Sequence, residues 1–494
     1  MAKLNNMAWV PRSSEMVTVL LILVSSITST TMGFDSSMMN ALNSLPSYKN
    51  YFHLTTSTLS LNTSATWVGG GIVSLFYGKV TDLIGRKKAL ALAAVFTVCT
   101  AVLQAAAQNV GMFIAARILL GMGMGASAIA GPTYLAETLS LKWRGLGLGI
   151  FYTFYYVGGL LSSAITYKTA QYDSTWAWRL PSALQGVFSL ISLVIIPFVP
   201  DSPRWLIYKD RRDEALEVIA LTTANGNKED QVVLAQYEEI IETMEFEKYN
   251  GETVSLLTMI KTKSSRRRMM LALSVAVCAI LSGNNIVSYY LSIMLDNAGI
   301  KDSNTQLQIN VVLNVWCLVI AVIGTFLSDR IGRKPLAIIS TTLLTIFLFC
   351  VGALTKVYGT SNNESGVYGT VAAIFLFQGA FSFGWTPLTV LYPPEVLNYA
   401  IRANGMGVYN LLTKGCGLLT TFAFPYALDA IGWKTYMING AWDVLELAFV
   451  IFFWVETKGK TLEEIDEVMN GQANGNDIGP KDTSASLSPE VSKA

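Results

Sequence analysis

Two ionisable side chains of opposite sign interrupt long uncharged stretches of this chain. Asp35 lies five residues before the end of an apolar run at 16–40, and Arg117 lies five residues after the start of another at 112–136. If the two runs are helices crossing a bilayer in opposite directions, a rise of about 1.5 Å per residue puts both groups at one depth, where they can pair. A carboxylate held by a guanidinium stays ionised, and a proton arriving at it frees the cation. Proton coupling is one use of such a pair; a static structural link is the other. Lys414, in the middle of the run 403–427, is a third intramembrane charge. It is either neutralised by Glu446 at similar depth on the next run, with Asp443 a turn away, or turned into a cavity to receive an anionic substrate. The matching depth favours the pair.

A second set of charges comes twice. GKVTDLIGRKKAL (78–90) returns as GTFLSDRIGRKPL (324–336), so that Asp82, Gly85, Arg86 and Lys87 correspond to Asp329, Gly332, Arg333 and Lys334. Glu137 followed by Arg144 returns as Glu395 followed by Arg402, and VPDSPRWL (199–206) has a counterpart in WVETKGKTLEEI. Acids and cations repeated half a chain apart suit a latch of weak ion pairs at one face of the membrane, formed when that mouth is shut. The plainer reading of the cations is that they set topology.

The elements that must position these groups follow from composition. Of 494 residues, 52% are hydrophobic and 14% charged, with a mean hydropathy of +0.43, against about 25% charged in soluble domains. Twelve runs are long enough to span a bilayer as helices: 16–40, 65–82, 89–108, 112–136, 146–168 and 179–199, then 269–293, 307–328, 335–355, 367–392, 403–427 and 436–455. The expected fold is an all-α membrane protein of twelve transmembrane helices in two related six-helix halves. A short N-terminus (1–15) precedes the first half (16–200), a small helical segment (201–268) joins it to the second (269–456), and a tail (457–494) ends in a disordered Gly, Asn and Ser-rich stretch. Parallel halves of this kind form carriers with a site between them near the midplane.

Cation-rich loops place both termini and the segment 201–268 in the cytoplasm. The sequons at Asn62 and Asn363 then fall in outer loops as candidate glycosylation sites. The five cysteines all fall within apolar runs and are expected as free thiols. No metal-ligand spacing, phosphate loop or catalytic set is present, so neither a cofactor, a metal nor an enzyme is expected, and a net charge of +1 gives no reason to expect nucleic acid.

The ordered set GKVTDLIGRKKAL, RILLGMGMGASAIAGPTYLAE, WRG, VPDSPRWL, SDRIGRK, PPEVLNYAIRANG and VETKGKTLEEID resembles the sugar porter family of the major facilitator superfamily, across about residues 15–468. Within it, GFDSSMMNAL, SGNNIVSYYL and YPPEVL look most like fungal lactose and oligosaccharide permeases. The resemblance implies an alternating-access carrier of a sugar, a disaccharide or other glycoside, moved with a proton in the plasma membrane by a monomer in the lipid bilayer. It also implies proton coupling at Asp35 and Arg117. A carrier or exporter of a sugar acid, and a non-transporting sugar sensor, are the alternatives.

Sugars need amide and hydroxyl partners and an aromatic face. Asn284, Asn285, Tyr289, Tyr152, Asn314, Trp385 and Lys414 are the candidate substrate residues, with a helix break expected at Pro387. Asn285 matches the asparagine of the family's seventh-span motif. Where the monosaccharide porters carry glutamines and a tryptophan, this chain has Ala279, Ile280, Tyr152 and Val390, so a pocket differing from that of a plain hexose carrier is expected.

Overall fold

A computed structural model describes residues 9–249, 263–361, 363–397 and 399–458. The first half contains α1 (Ser14–Leu42), α2 (Thr56–Ser74), α3 (Arg86–Ala105), α4 (Val110–Thr138), α5 (Leu141–Thr169) and α6 (Trp176–Ile195). The second contains α7 in two pieces (Lys263–Leu281 and Asn284–Asn297), then α8 (Ser303–Ile331), α9 (Arg333–Tyr358), α10 (Glu364–Val396), α11 (Tyr399–Ile431) and α12 (Lys434–Phe453). Ten of these are apolar and long enough to cross a membrane. The other two, α2 and α11, carry more polar residues and pack on each other where the halves meet. Facing each other rather than lipid is what lets them be polar.

The halves also meet where α1 packs on the second piece of α7 and α5 packs on α8. Within the first half, helices approach through glycine. A Cβ on Gly33 of α1 would lie 1.7 Å from the Tyr155 carbonyl oxygen of α5, and one on Gly158 of α5 would lie 2.0 Å from that of Thr30. Hydrocarbon gives helices no hydrophobic reason to associate, so such backbone contact supplies the dispersion energy.

Four expectations change. The second helix starts at Thr56 rather than 65, because Ser60, Asn62 and Thr63 are buried in the bundle instead of being left in a loop. Asn62 is therefore no glycosylation site: its side chain is fully buried and donates to the Tyr48 hydroxyl at 2.9 Å. Asn363 by contrast is exposed and caps α10 by accepting from Gly366 N. The seventh helix is broken at Gly283, whose φ of +84° glycine alone adopts without strain. Finally, α10 runs through Pro387 without ending.

The segment after α6 folds as helices Pro203–Tyr208, Arg212–Thr223 and Gln231–Tyr249 around Trp205, Leu206, Val218 and Ile219. It is tied to the start of α1 by Ser14 and Asn225, each donating a backbone N–H to the other's side chain. The predicted tail beyond Lys458 lies outside the described residues. All five cysteines are free.

Candidate functional site

Helices α1 and α4 bring Asp35 and Arg117 together. The guanidinium grips both carboxylate oxygens, Nη1 to Oδ1 at 2.7 Å and Nη2 to Oδ2 at 3.1 Å, in a bidentate pair that is almost wholly buried. Arg117 spends its Nε on the Asn62 carbonyl at 2.6 Å, and Gln185 of α6 donates to Asp35 Oδ1 at 3.0 Å. Four helices thus meet at this pair, two of them bonding the carboxylate itself. In the sequence Gln185 is only an uncharged amide inside an apolar run, which does not mark it as a site residue.

Asp35, but not Arg117, lines a cavity of about 200 Å³ between the halves. The first half contributes Met32, Asp35, Thr66, Trp67, Met124 and Tyr155; the second contributes Ile280, Asn284, Asn285, Ser288, Tyr289 and Lys414. The break at Gly283 sets the two asparagines at the start of a new helix, as in carriers whose discontinuous helices bind substrate. Asn285 donates to the Thr420 hydroxyl at 2.7 Å, and Asn284 Oδ1 accepts from Gln378 at 2.8 Å, leaving its amide hydrogens for a ligand.

A smaller space of about 40 Å³, lined by Ser37, Asn40, Tyr156, Asn310 and Asn314, adjoins through Ser288. Asn314 belongs there. Two other candidates do not reach either space. Tyr152 lies one turn nearer the cation-rich end than Tyr155 and packs edge-on against Phe151, and Trp385 is fully buried against Trp454. Their places are taken by Tyr155 and Trp67.

Lys414 does not pair with Glu446. That carboxylate accepts from Trp442 Nε1 on its own helix, and Asp443 accepts from Asn439. Equal depth does not fix rotation about the helix axis: Lys414 turns to α2, with Nζ 5.1 Å from the centre of the Trp67 ring, while Glu446 is bonded to Trp442.

Away from the cation-rich end α7 is bonded to the other half. The Tyr290 backbone leaves helical geometry at φ −132°, and the neighbouring polar backbone groups of α7 are taken up by α1. Asn40 accepts from Leu291 N at 3.0 Å, and Asn43 donates to the Tyr289 carbonyl at 3.1 Å. Backbone freed in hydrocarbon must find partners, and here the other half supplies them.

At the cation-rich end the repeated phrases build two matching clusters. Arg86 lies 2.9 and 3.1 Å from the two Glu137 oxygens, and Ser202 donates to the same carboxylate. Asp201 accepts from Lys87 N at 3.3 Å. Burial pushes the Asp201 carboxyl above its ordinary value, with the N–H groups of Ser202 and Lys87 pulling the other way. In the second half Arg333 binds Glu395 at 2.8 Å, Thr457 donates to Glu395, and Glu456 accepts from the N–H groups of Arg333 and Lys334. Each cluster ties helices of its own half; among the described residues no ion pair joins the two. The expected arrangement differs in detail too. Asp82 meets Arg86 from an exposed position, the Lys87 ammonium donates to the Val199 carbonyl, and Arg144 has Arg204 and Glu239 as its charged neighbours. The side chains of Asp329 and Arg402 lie outside the described residues.

The model of the sugar (and other) transporter family matches residues 21–469. A high-affinity glucose transporter of Kluyveromyces lactis is 30% identical, over 88% of this chain and 82% of its own length. The MFS-type transporter oryC of Aspergillus oryzae is 32% identical, over 83% and 77%. Among solved structures, the proton:xylose symporter XylE bound to 6-bromo-6-deoxy-D-glucose superposes with a TM-score of 0.77 at 22% identity, covering 92% of this chain and all of that one. Of these, the Kluyveromyces lactis relative is named for glucose and oryC for no substrate; neither is named for lactose or an oligosaccharide.

Proposed function

The chain belongs to the sugar (and other) transporter family, a family of multi-pass membrane carriers rather than enzymes, and from that premise we propose that it moves a sugar across the membrane together with a proton. The observation that carries the reading is Asp35, which lines the cavity shared by the halves while its carboxylate is held by Arg117. Asp35 takes the proton. Neutralised, it releases Arg117 and loosens the grip of α4 and α6 on α1, while Asn284, Asn285, Ser288 and Tyr289 hold the substrate. Relatives named for glucose and for proton-driven xylose transport support the assignment. The cation-rich end faces the cytoplasm, both termini with it, in the plasma membrane.

The test is uptake of labelled glucose, lactose, cellobiose and galacturonate into proteoliposomes under an inward proton gradient. Wild type should concentrate its substrate, whereas Asp35→Asn, fixed in the neutral form, should exchange substrate without concentrating it. Undiminished accumulation by Asp35→Asn overturns the coupling. The orientation has its own measurement. Asn363 should carry a glycan when the protein is made in a eukaryotic membrane, seen as an endoglycosidase-sensitive mobility shift that Asn363→Gln abolishes.

A further inference from the structure

We propose that Lys414 is a binding residue for a carboxylate, and that the substrate is accordingly a sugar acid such as a uronate or an aldonate. This rests on the reading of the cavity as the substrate site and narrows the class of substrate it takes.

A lysine at the middle of a membrane helix costs about 2.5–3.5 kcal/mol on insertion scales, so one retained there normally has a partner or a task. Lys414 has no carboxylate partner among the described residues. The nearby acids of α12 are held by Trp442 and Asn439, and Asp35 is occupied on both oxygens by Arg117 and on one by Gln185. Nor does its ammonium donate to any described oxygen; its contact is the face of Trp67.

The position is nonetheless built. The stem of Lys414 runs along the glycines of α2. A Cβ on Gly70 would sit 3.2 Å from Lys414 Cε and 3.6 Å from Nζ, and one on Gly71 would sit 3.8 Å from its Cβ. Bare backbone on α2 leaves room for the long side chain to lie across the interface and end in the cavity. The ring of Trp67 holds the cation without neutralising it, so its charge remains available to a ligand.

The charges in the wall then make a simple sum. Asp35 and Arg117 cancel, and Lys414 leaves the site one positive charge. A sugar carboxylate meets it with a charge-assisted hydrogen bond, while the asparagines and Ser288 take the hydroxyls. One proton entering with one carboxylate carries no net charge. Uptake of an acid is therefore electroneutral, whereas a neutral sugar moved with a proton would carry current.

The experiment uses the purified full chain in nanodiscs and proteoliposomes, with glucuronate, galacturonate and gluconate beside glucose and galactose as probes. At least one acid should bind ten-fold or more tightly than its neutral counterpart. Lys414→Gln should reconstitute at normal abundance and lose that preference to within about two-fold, and Lys414→Arg should recover part of it. Uptake of the preferred acid should be indifferent to an inside-negative potassium diffusion potential. Equal or better binding of the neutral sugars, or a preference that survives in Lys414→Gln, overturns the proposal. Should a neutral sugar accumulate on a proton gradient while no acid binds, the sugar carrier stands and only this inference falls. If an acid binds through Lys414 but is never concentrated, the proton-coupled reading falls instead.

Discussion

The two ends of the functional axis are built on opposite plans. At the cation-rich end the halves repeat one another: Gly85, Arg86, Glu137, Asp201 and Ser202 on one side, Gly332, Arg333, Glu395, Glu456 and Thr457 on the other, with the Arg–Glu pair, the hydroxyl to Glu and the lysine N–H to the acid in common. In the cavity their polar groups differ. The first half brings a buried ion pair, and the second brings two asparagines at a helix break and an unpaired lysine. Both halves have the same mechanical task at the membrane face, where each must keep its helices together as a rigid unit. The cavity has two different chemical tasks, and duplicated walls would have suited neither.

The sharpest way to break this contrast is to strand a charge in the cavity wall. Arg117→Met leaves Asp35 buried without its cation at a cost of about 3–5 kcal/mol, so the variant should fail to reach the membrane in quantity. Adding Asp35→Asn should restore abundance but not accumulation. Surface abundance beside uptake for the single and double variants checks this, and an Arg117→Met that expresses normally would mean the pair is less dry than it looks.

The clusters should respond more mildly and alike. Arg86→Glu and Arg333→Glu each remove charge-assisted bonds worth about 1.5–3 kcal/mol and set like charges together. Both should lower the melting temperature in detergent by similar amounts. Melting by one alone would end the claim that the halves use the phrase equivalently.

Gly85→Ala and Gly332→Ala probe the same equivalence through the backbone. Their φ of +95° and +102° with ψ of 154° and 166° is a region essentially confined to glycine, costly for alanine by about 1–3 kcal/mol, and each added Cβ meets a carboxylate oxygen, of Asp201 at 2.9 Å and of Glu456 at 2.8 Å. Paired thermal melts should show matched losses. Asp82→Asn comes last. Its carboxylate is 63% exposed, so the pair with Arg86 is worth about 0–1 kcal/mol, and melting should barely move. A large loss there would show that Asp82 works in a conformation other than this one.

The sequence by itself determined the helices, their number, the duplication and the family, because a bilayer forces long apolar runs and a repeated phrase is visible as text. It also placed Asp35 and Arg117 at one depth, since helical rise converts residue count into height. Rise carries no information about rotation, and there the reading failed. Lys414 and Glu446 share a height and face different ways, and Tyr152 and Trp385 are aromatic residues on the correct helices that point away from the cavity. Hydropathy also misread α2, whose buried Ser60, Asn62 and Thr63 look like a loop until α4 and α11 are packed against the helix. Only the tertiary structure decides azimuth, because the face a helix turns inward is set by which neighbours it packs against. That choice put Lys414 over Trp67 rather than beside an acid.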